Sequence, residues 1–177
     1  MKFIKSTSWE AIEKTWQKNE EPLQDSRNKT NNNGQSSWKT WRQPYINAVG
    51  ASELIWHQYR TTPNEAINWS CGAFQIWIKR AMDIRSRVFK ELATHKCFED
   101  HEKINPLMNS FPQTIELIAL KKNDSIYVFE GHHRLISLAL LIEQNPKFSC
   151  NIIVNLAKIP NHNPFPLIDY TPPELGK

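Results

Sequence analysis

The apolar positions resolve into elements most clearly between residues 115 and 156. Ile115-Glu116-Leu117-Ile118-Ala119-Leu120 and Ile126-Tyr127-Val128-Phe129 are short apolar runs with a polar turn, Lys121-Lys122-Asn123-Asp124, between them. That order predicts a hairpin whose second strand is apolar on both faces and buried. Leu135, Leu138, Ala139 and Ile142 then recur at helical spacing, and Ile136, Leu140 and Leu141 widen the apolar face. A helix that apolar is covered on most sides. It should stop near Asn145-Pro146, ahead of a further strand over Asn151-Ile152-Ile153-Val154-Asn155-Leu156.

Upstream, Ala66, Ile67, Cys71, Phe74, Ile78, Ala81 and Met82 fall at helical intervals after Thr62-Pro63, a plausible N-cap followed by a first-turn proline. Ile84, Val88, Phe89 and Leu92 extend the pattern to about His95, with Gly72 as an interruption costing about 1 kcal/mol. The region is predicted to be helical and basic, through Lys79, Arg80, Arg85, Arg87 and Lys90. Those cations form either a solvated face or a docking face for substrate or nucleic acid. Trp9 to Trp16 reads as a short amphipathic helix capped by Ser8, and Gln24 to Ser37 as a polar, Asn-rich loop. Trp38-Lys39-Thr40-Trp41-Arg42 alternates aromatics with cations. It is either a stacking platform for bases or two tryptophans packed on the core. The seven tryptophans lie in the first half of the chain and predict a layer wrapped over a small sheet.

Chemistry concentrates at Glu130-Gly131-His132-His133-Arg134, between the second hairpin strand and the helix. A glycine turn there places two imidazoles and a guanidinium at a helix N-terminus, where unpaired N–H groups and the helix dipole favour an anion. Gly131 would allow the tight turn. The N–H groups of residues 132 to 134, with Arg134, would hold phosphates, the arginine in bidentate geometry. His132 or His133 would stabilise charge on a transferred group. Other site classes fit less well. The spacing of His101, His132 and His133 matches no metal motif, and no nucleophile elbow, P-loop or Gly-x-Gly-x-x-Gly is present.

The run from Ile115 to about Ile159 resembles the core of the ParB/sulfiredoxin superfamily, whose signature is a hairpin, a Gly-x-x-Arg turn opening a helix, and a strand. Its partition-protein branch carries an acid and two arginines in the turn. Its sulfiredoxin branch carries a cysteine where this chain has His132, and Cys71, Cys97 and Cys150 all lie outside the motif. The form acid-Gly-His-His-Arg is most similar to the free-serine-kinase group, with Glu130 in place of its usual aspartate. The resemblance implies a nucleotide-dependent phosphotransferase acting on a small molecule, using ATP, ADP or CTP with Mg²⁺, the metal or the acceptor being held by Glu130. It also implies that Glu102, in Asp100-His101-Glu102-Lys103-Ile104, is the base. Asp100 and Glu99 are local rivals, and a surface acidic cluster is the alternative. The stretch from Lys103 to Phe129 is short for that group, so any helix in it must shrink to about a turn around Pro106-Leu107-Met108-Asn109. The runner-up is a non-catalytic ParB-like nucleotide- or DNA-binding module. Nucleic acid is the less favoured partner, because the proline-rich tail after Ile159 does not fit the helical DNA-binding region of partition proteins.

Composition narrows the class. The chain has 177 residues, 40% hydrophobic and 23% charged, with a formal charge of +4. That suits about one domain with phosphate-bearing partners, without naming one. Three scattered cysteines argue against a disulfide framework and a cysteine-rich zinc site. No run approaches the ~18 apolar residues of a membrane span, and Met1 to Ser6 lacks a signal-peptide core, so a cytoplasmic protein is expected. The predicted fold is α+β: a ParB/sulfiredoxin-like small mixed sheet with helices over 61–159. A Trp-rich, mainly helical region over 1–60 precedes it, a proline-rich tail over 160–177 is laid across the surface, and the whole forms one compact unit.

Overall fold

A computed structural model describes residues 1–28, 38–72, 75–98, 101–161 and 163, apart from the side chains of 21–28, 38–41, 75 and 78. Its centre is the predicted hairpin, β4 (Thr114–Lys122) and β5 (Ser125–Glu130), followed by α7 (His132–Gln144) and β6 (Asn151–Lys158). The hairpin strands are antiparallel, and β6 returns to run parallel to β4 from Thr114↔Asn151 to Lys121↔Lys158. Asn123 takes φ 53 in the two-residue turn, a conformation asparagine tolerates better than most side chains. Alternation along β4 sends Ile115, Leu117 and Ala119 into a core under α7, and Ile118 and Leu120 into a second core on the opposite face.

Sequence and structure part company at the sheet margins. Among the described residues the sheet is mixed, with six strands in the order β1-β2-β6-β4-β5-β3. Its outer strands β1 (Lys2–Thr7) and β2 (Trp56–Thr61) come from the region expected to be mainly helical. The division drawn at residue 60 therefore falls inside β2, which pairs antiparallel with β6. Neither strand carries an apolar run. β1 is an exposed edge, and β2 interleaves Trp56 with His57, Gln58 and Arg60. Two helices do occupy the region as well. α1 (Trp9–Asn28) starts at Ser8, whose Oγ accepts from the Ala11 N–H at 3.3 Å, and it runs past Gln24, the expected loop start. α2 (Trp38–Val49) follows. Trp9, Ile12 and Trp16 of α1 and Ile46 and Val49 of α2 cover the second core with Trp56 and Phe129. The tryptophan layer is thus real for Trp9, Trp16 and Trp56. The side chains of Trp38 and Trp41 lie outside the described residues, as do the Asn-rich segment after Asn28 and the tail residues Phe165, Leu167, Ile168 and Tyr170.

The middle of the chain is not one helical stretch. α3 (Pro63–Ala66) is four residues, β3 (Ser70–Cys71) pairs parallel with β5, and α4 (Gln75–Asp83) and α5 (Phe89–Leu92) are separated by Arg85 at φ 56. The helical periodicity was a coincidence of tertiary contacts. Cys71 N–H donates to the Arg87 carbonyl at 2.8 Å, Phe89 to Trp69 at 3.1 Å and Lys90 to Ile67 at 2.8 Å, so the two segments bond across to each other. The Thr62 cap is as expected: its hydroxyl accepts from the Glu65 N–H, with Pro63 at the first helical position. Thr62→Ala should cost about 1 kcal/mol in urea unfolding.

The remaining helix, α6 (Ile104–Asn109), is six residues long, close to the single turn that the short stretch before the motif demands. Among the described residues, seven α-helices surround the sheet, and none is long and apolar enough to cross a membrane.

Candidate anion site at the start of the motif helix

Gly131 shapes the turn. It adopts φ 111 and ψ 13 as the N-cap of α7, with no side-chain cap hydrogen bond. A Cβ there would run into Leu117 Cδ2, so glycine is required by both conformation and space. Glu130, at the end of β5, and Arg134, one helical turn on, form an ion pair through one guanidinium nitrogen, and both remain partly exposed.

The two histidines have separate environments. His132 is only 4% exposed and stacks on Trp77 at 4.9 Å between ring centroids. Its Nε2 lies 3.2 Å from the Gly72 carbonyl oxygen and 3.5 Å from the Gly72 backbone nitrogen, so whether it donates to the one or accepts from the other depends on the tautomer. Burial pushes its pKa down to about 3, partly opposed by the hydrogen bond with Gly72. His132 is therefore a neutral strut tying α7 to the end of β3. Of the two imidazoles expected to stabilise charge on a transferred group, His132 is thus buried and His133 is the more exposed.

His133 is half-buried, edge-on to Trp77 at 5.1 Å and 5.2 Å from the His101 ring. Burial first, then the positive charge of Lys103, the neighbouring imidazoles and Arg80, hold its pKa near 3. His101 accepts from the Lys103 N–H on Nδ1 at 3.2 Å, and its pKa is also lowered, by burial and then by Arg80. The fold thus brings the segment 101–104 to the motif turn, but the residue facing His133 is His101, while Glu102 is exposed. Glu99 and Asp100 lie outside the described residues.

Sequence reasoning missed Arg80. It was one of five cations on a helix face, yet its guanidinium rests over Trp77 at 4.8 Å and Phe98 at 4.9 Å. The only signal in the sequence was an aromatic three residues before it. Gly72, taken for a helix interruption, supplies the carbonyl that fixes His132. Cys71 is buried and its thiol is pushed up to about 11, which makes it inert. Among the described residues no group of three His, Cys, Asp or Glu side chains could hold a metal ion. A magnesium ion needs less, since it keeps water and phosphate ligands beside one or two carboxylates. Glu130 fits that role only by sharing its carboxylate with Arg134.

The arrangement has one chemical character. A helix N-terminus without a side-chain cap, a partly exposed guanidinium in its first turn, and neutral imidazoles in a positive field together favour a multiply charged anion. No protein-family model, no curated protein and no solved structure matches the chain.

Proposed function

We propose that this chain is a nucleotide-dependent phosphotransferase of ParB/sulfiredoxin type that acts on a small-molecule acceptor. The observation that carries the proposal is the start of α7: N–H groups with no side-chain cap, Arg134 in the first turn and neutral His133 beside it. The N–H groups of residues 132 to 134 would hold phosphate oxygens. Arg134 bonds Glu130 through one nitrogen, which leaves other N–H donors of its fork for a phosphate. His133, uncharged at neutral pH, would donate a hydrogen bond to the group in flight rather than neutralise it by charge. Mg²⁺ would enter with the nucleotide, and its chemistry is charge neutralisation on the phosphates, with Glu130 as its carboxylate.

In the transfer step, the acceptor hydroxyl oxygen forms a bond to the terminal phosphorus while the bridging P–O bond breaks. The electron pair of that bond leaves with the shortened nucleotide, and the hydroxyl proton passes to a carboxylate, for which Glu102 is the candidate. ATP, ADP or CTP with Mg²⁺ should raise the melting temperature of the protein. A folded His133→Ala variant should lose transfer by about 10²–10³-fold. Full turnover by that variant, or no shift with any nucleotide, overturns the proposal.

The pairing of Glu130 with Arg134 favours one alternative, a non-catalytic nucleotide- or DNA-binding module, because the carboxylate at the turn is already engaged. Such a module would bind nucleotide without consuming it. If its ligand were nucleic acid, affinity would fall steeply with salt, with a slope set by the number of phosphates contacted.

A further inference from the structure

We infer that Arg80, outside the motif, is the guanidinium that grips the terminal phosphate of the nucleotide; this rests on the phosphotransferase proposal above. Arg80 projects from α4, lies over the rings of both Trp77 and Phe98, and forms no hydrogen bond or ion pair among the described residues. Trp77 is also the ring that His132 stacks on and His133 meets edge-on. One aromatic side chain therefore ties the guanidinium to the start of α7. The other support is fixed too. Phe98 stacks on Trp77 at 5.7 Å, and the turn that carries it is pinned by His95, which pairs with Asp83 and accepts from the Cys97 N–H.

Two cation–π contacts hold the fork in place without using its N–H donors, since ring faces engage the cation and not the N–H edge. The positions of these donors are thus set before a ligand arrives, which lowers the ordering cost of binding. Arg134 differs: it must share its donors with Glu130. The positive charge of Arg80 is the second cause, after burial, of the lowered pKa of His101 and the last of the causes for His132 and His133, as expected of a guanidinium near the start of α7. Arg134 and the helix N–H groups would then hold the inner phosphates, and Arg80 with His133 the outer one.

The test compares Mg·ATP, Mg·CTP, inorganic triphosphate and adenosine by calorimetric titration on the full chain, for wild type, Arg80→Gln, Arg80→Lys and Lys79→Gln. Lys79→Gln removes the same unit charge from an exposed position on the same helix. Arg80→Gln should weaken the nucleotides and inorganic triphosphate by about 10- to 100-fold and leave adenosine unchanged. Arg80→Lys should recover only part of that loss, because an ammonium lacks the fork, and Lys79→Gln should bind as wild type does. If Arg80→Gln disturbs the Trp77 packing, Arg80→Lys still carries the comparison. Wild-type affinity for triphosphate in both Arg80 variants, or an equal loss in Lys79→Gln, overturns the role of Arg80 and leaves the phosphotransferase proposal standing. Failure of the wild-type protein to bind any of the phosphate ligands overturns both.

Discussion

Gly131→Ala should destabilise the protein by about 2–6 kcal/mol and abolish ligand-induced stabilisation at the turn. Two costs add. A side chain at φ 111 is strained, by roughly 1–3 kcal/mol. The added methyl also overlaps Leu117 Cδ2, and Leu117 is fully buried in β4 at the floor of the core, so relief requires moving packed atoms for about 1–3 kcal/mol more. In a chain of 177 residues that corresponds to a fall in melting temperature of roughly 4–24 °C. Gly50→Ala is the matched control. Gly50 also has positive φ, 63, but its missing Cβ would meet only Glu53 Oε2 at 3.8 Å, so about 1–2 kcal/mol is expected there. Thermal unfolding of both variants separates the two costs. Equal losses would mean that backbone conformation alone decides and that the contact with Leu117 is unimportant.

The second large effect is acid sensitivity below pH 6.5. His132 and His133 both have folded pKa values near 3, against an ordinary value of 6.5, chiefly because burial disfavours the imidazolium. Between those limits the unfolded chain binds more protons than the folded one, so stability rises with pH across the window. It is fully present above pH 6.5 and is lost as pH falls toward 3, at up to about 1.4 kcal/mol per pH unit for each histidine. The rings share Trp77 and repel each other when charged, so they lose stability as a coupled pair. Urea unfolding at a series of pH values from 7.5 down to 4.5 measures the slope. His132→Gln keeps an N–H donor for the Gly72 carbonyl and removes one titrating group. Its stability should depend less steeply on pH, by the equivalent of one proton. An unchanged slope would show that His132 is protonated in the folded protein.

What the sequence made legible was local. Hairpin, turn, motif helix and return strand are contiguous, and each carries its own signal: runs bounded by turn residues, an apolar helical face, a glycine at a junction. The margins were illegible for the opposite reason. β1 is an exposed edge and β2 has mixed polarity, so their strand character comes from pairing with β6 and not from their own side chains. Between Ala66 and Leu92 the apolar residues serve bonds between two distant segments, and a window moved along one chain cannot tell that from a helix face. At the candidate site, Glu130 to Arg134 were visible as a cluster. The division of labour between His132 and His133 was not, because adjacent residues of the same type differ here only in what packs on them. Arg80 was hidden among four similar cations until the fold stacked Trp77 and Phe98 together beside it.

The order of strands has a consequence for synthesis. β2 meets β6 through contacts such as Gln58 to Asn155, 97 positions apart. As the chain leaves the ribosome, α1 and its tryptophans emerge early, but the sheet face they cover is finished only when β6 arrives. Until then, Trp9, Trp16 and Trp56 are apolar surface without a home, the kind of exposure that invites aggregation during slow, non-local assembly. The same β6 lies beside β4 and completes the layer under the motif helix. Closure of the N-terminal core and support for the candidate anion site are therefore one event, set by the arrival of β6.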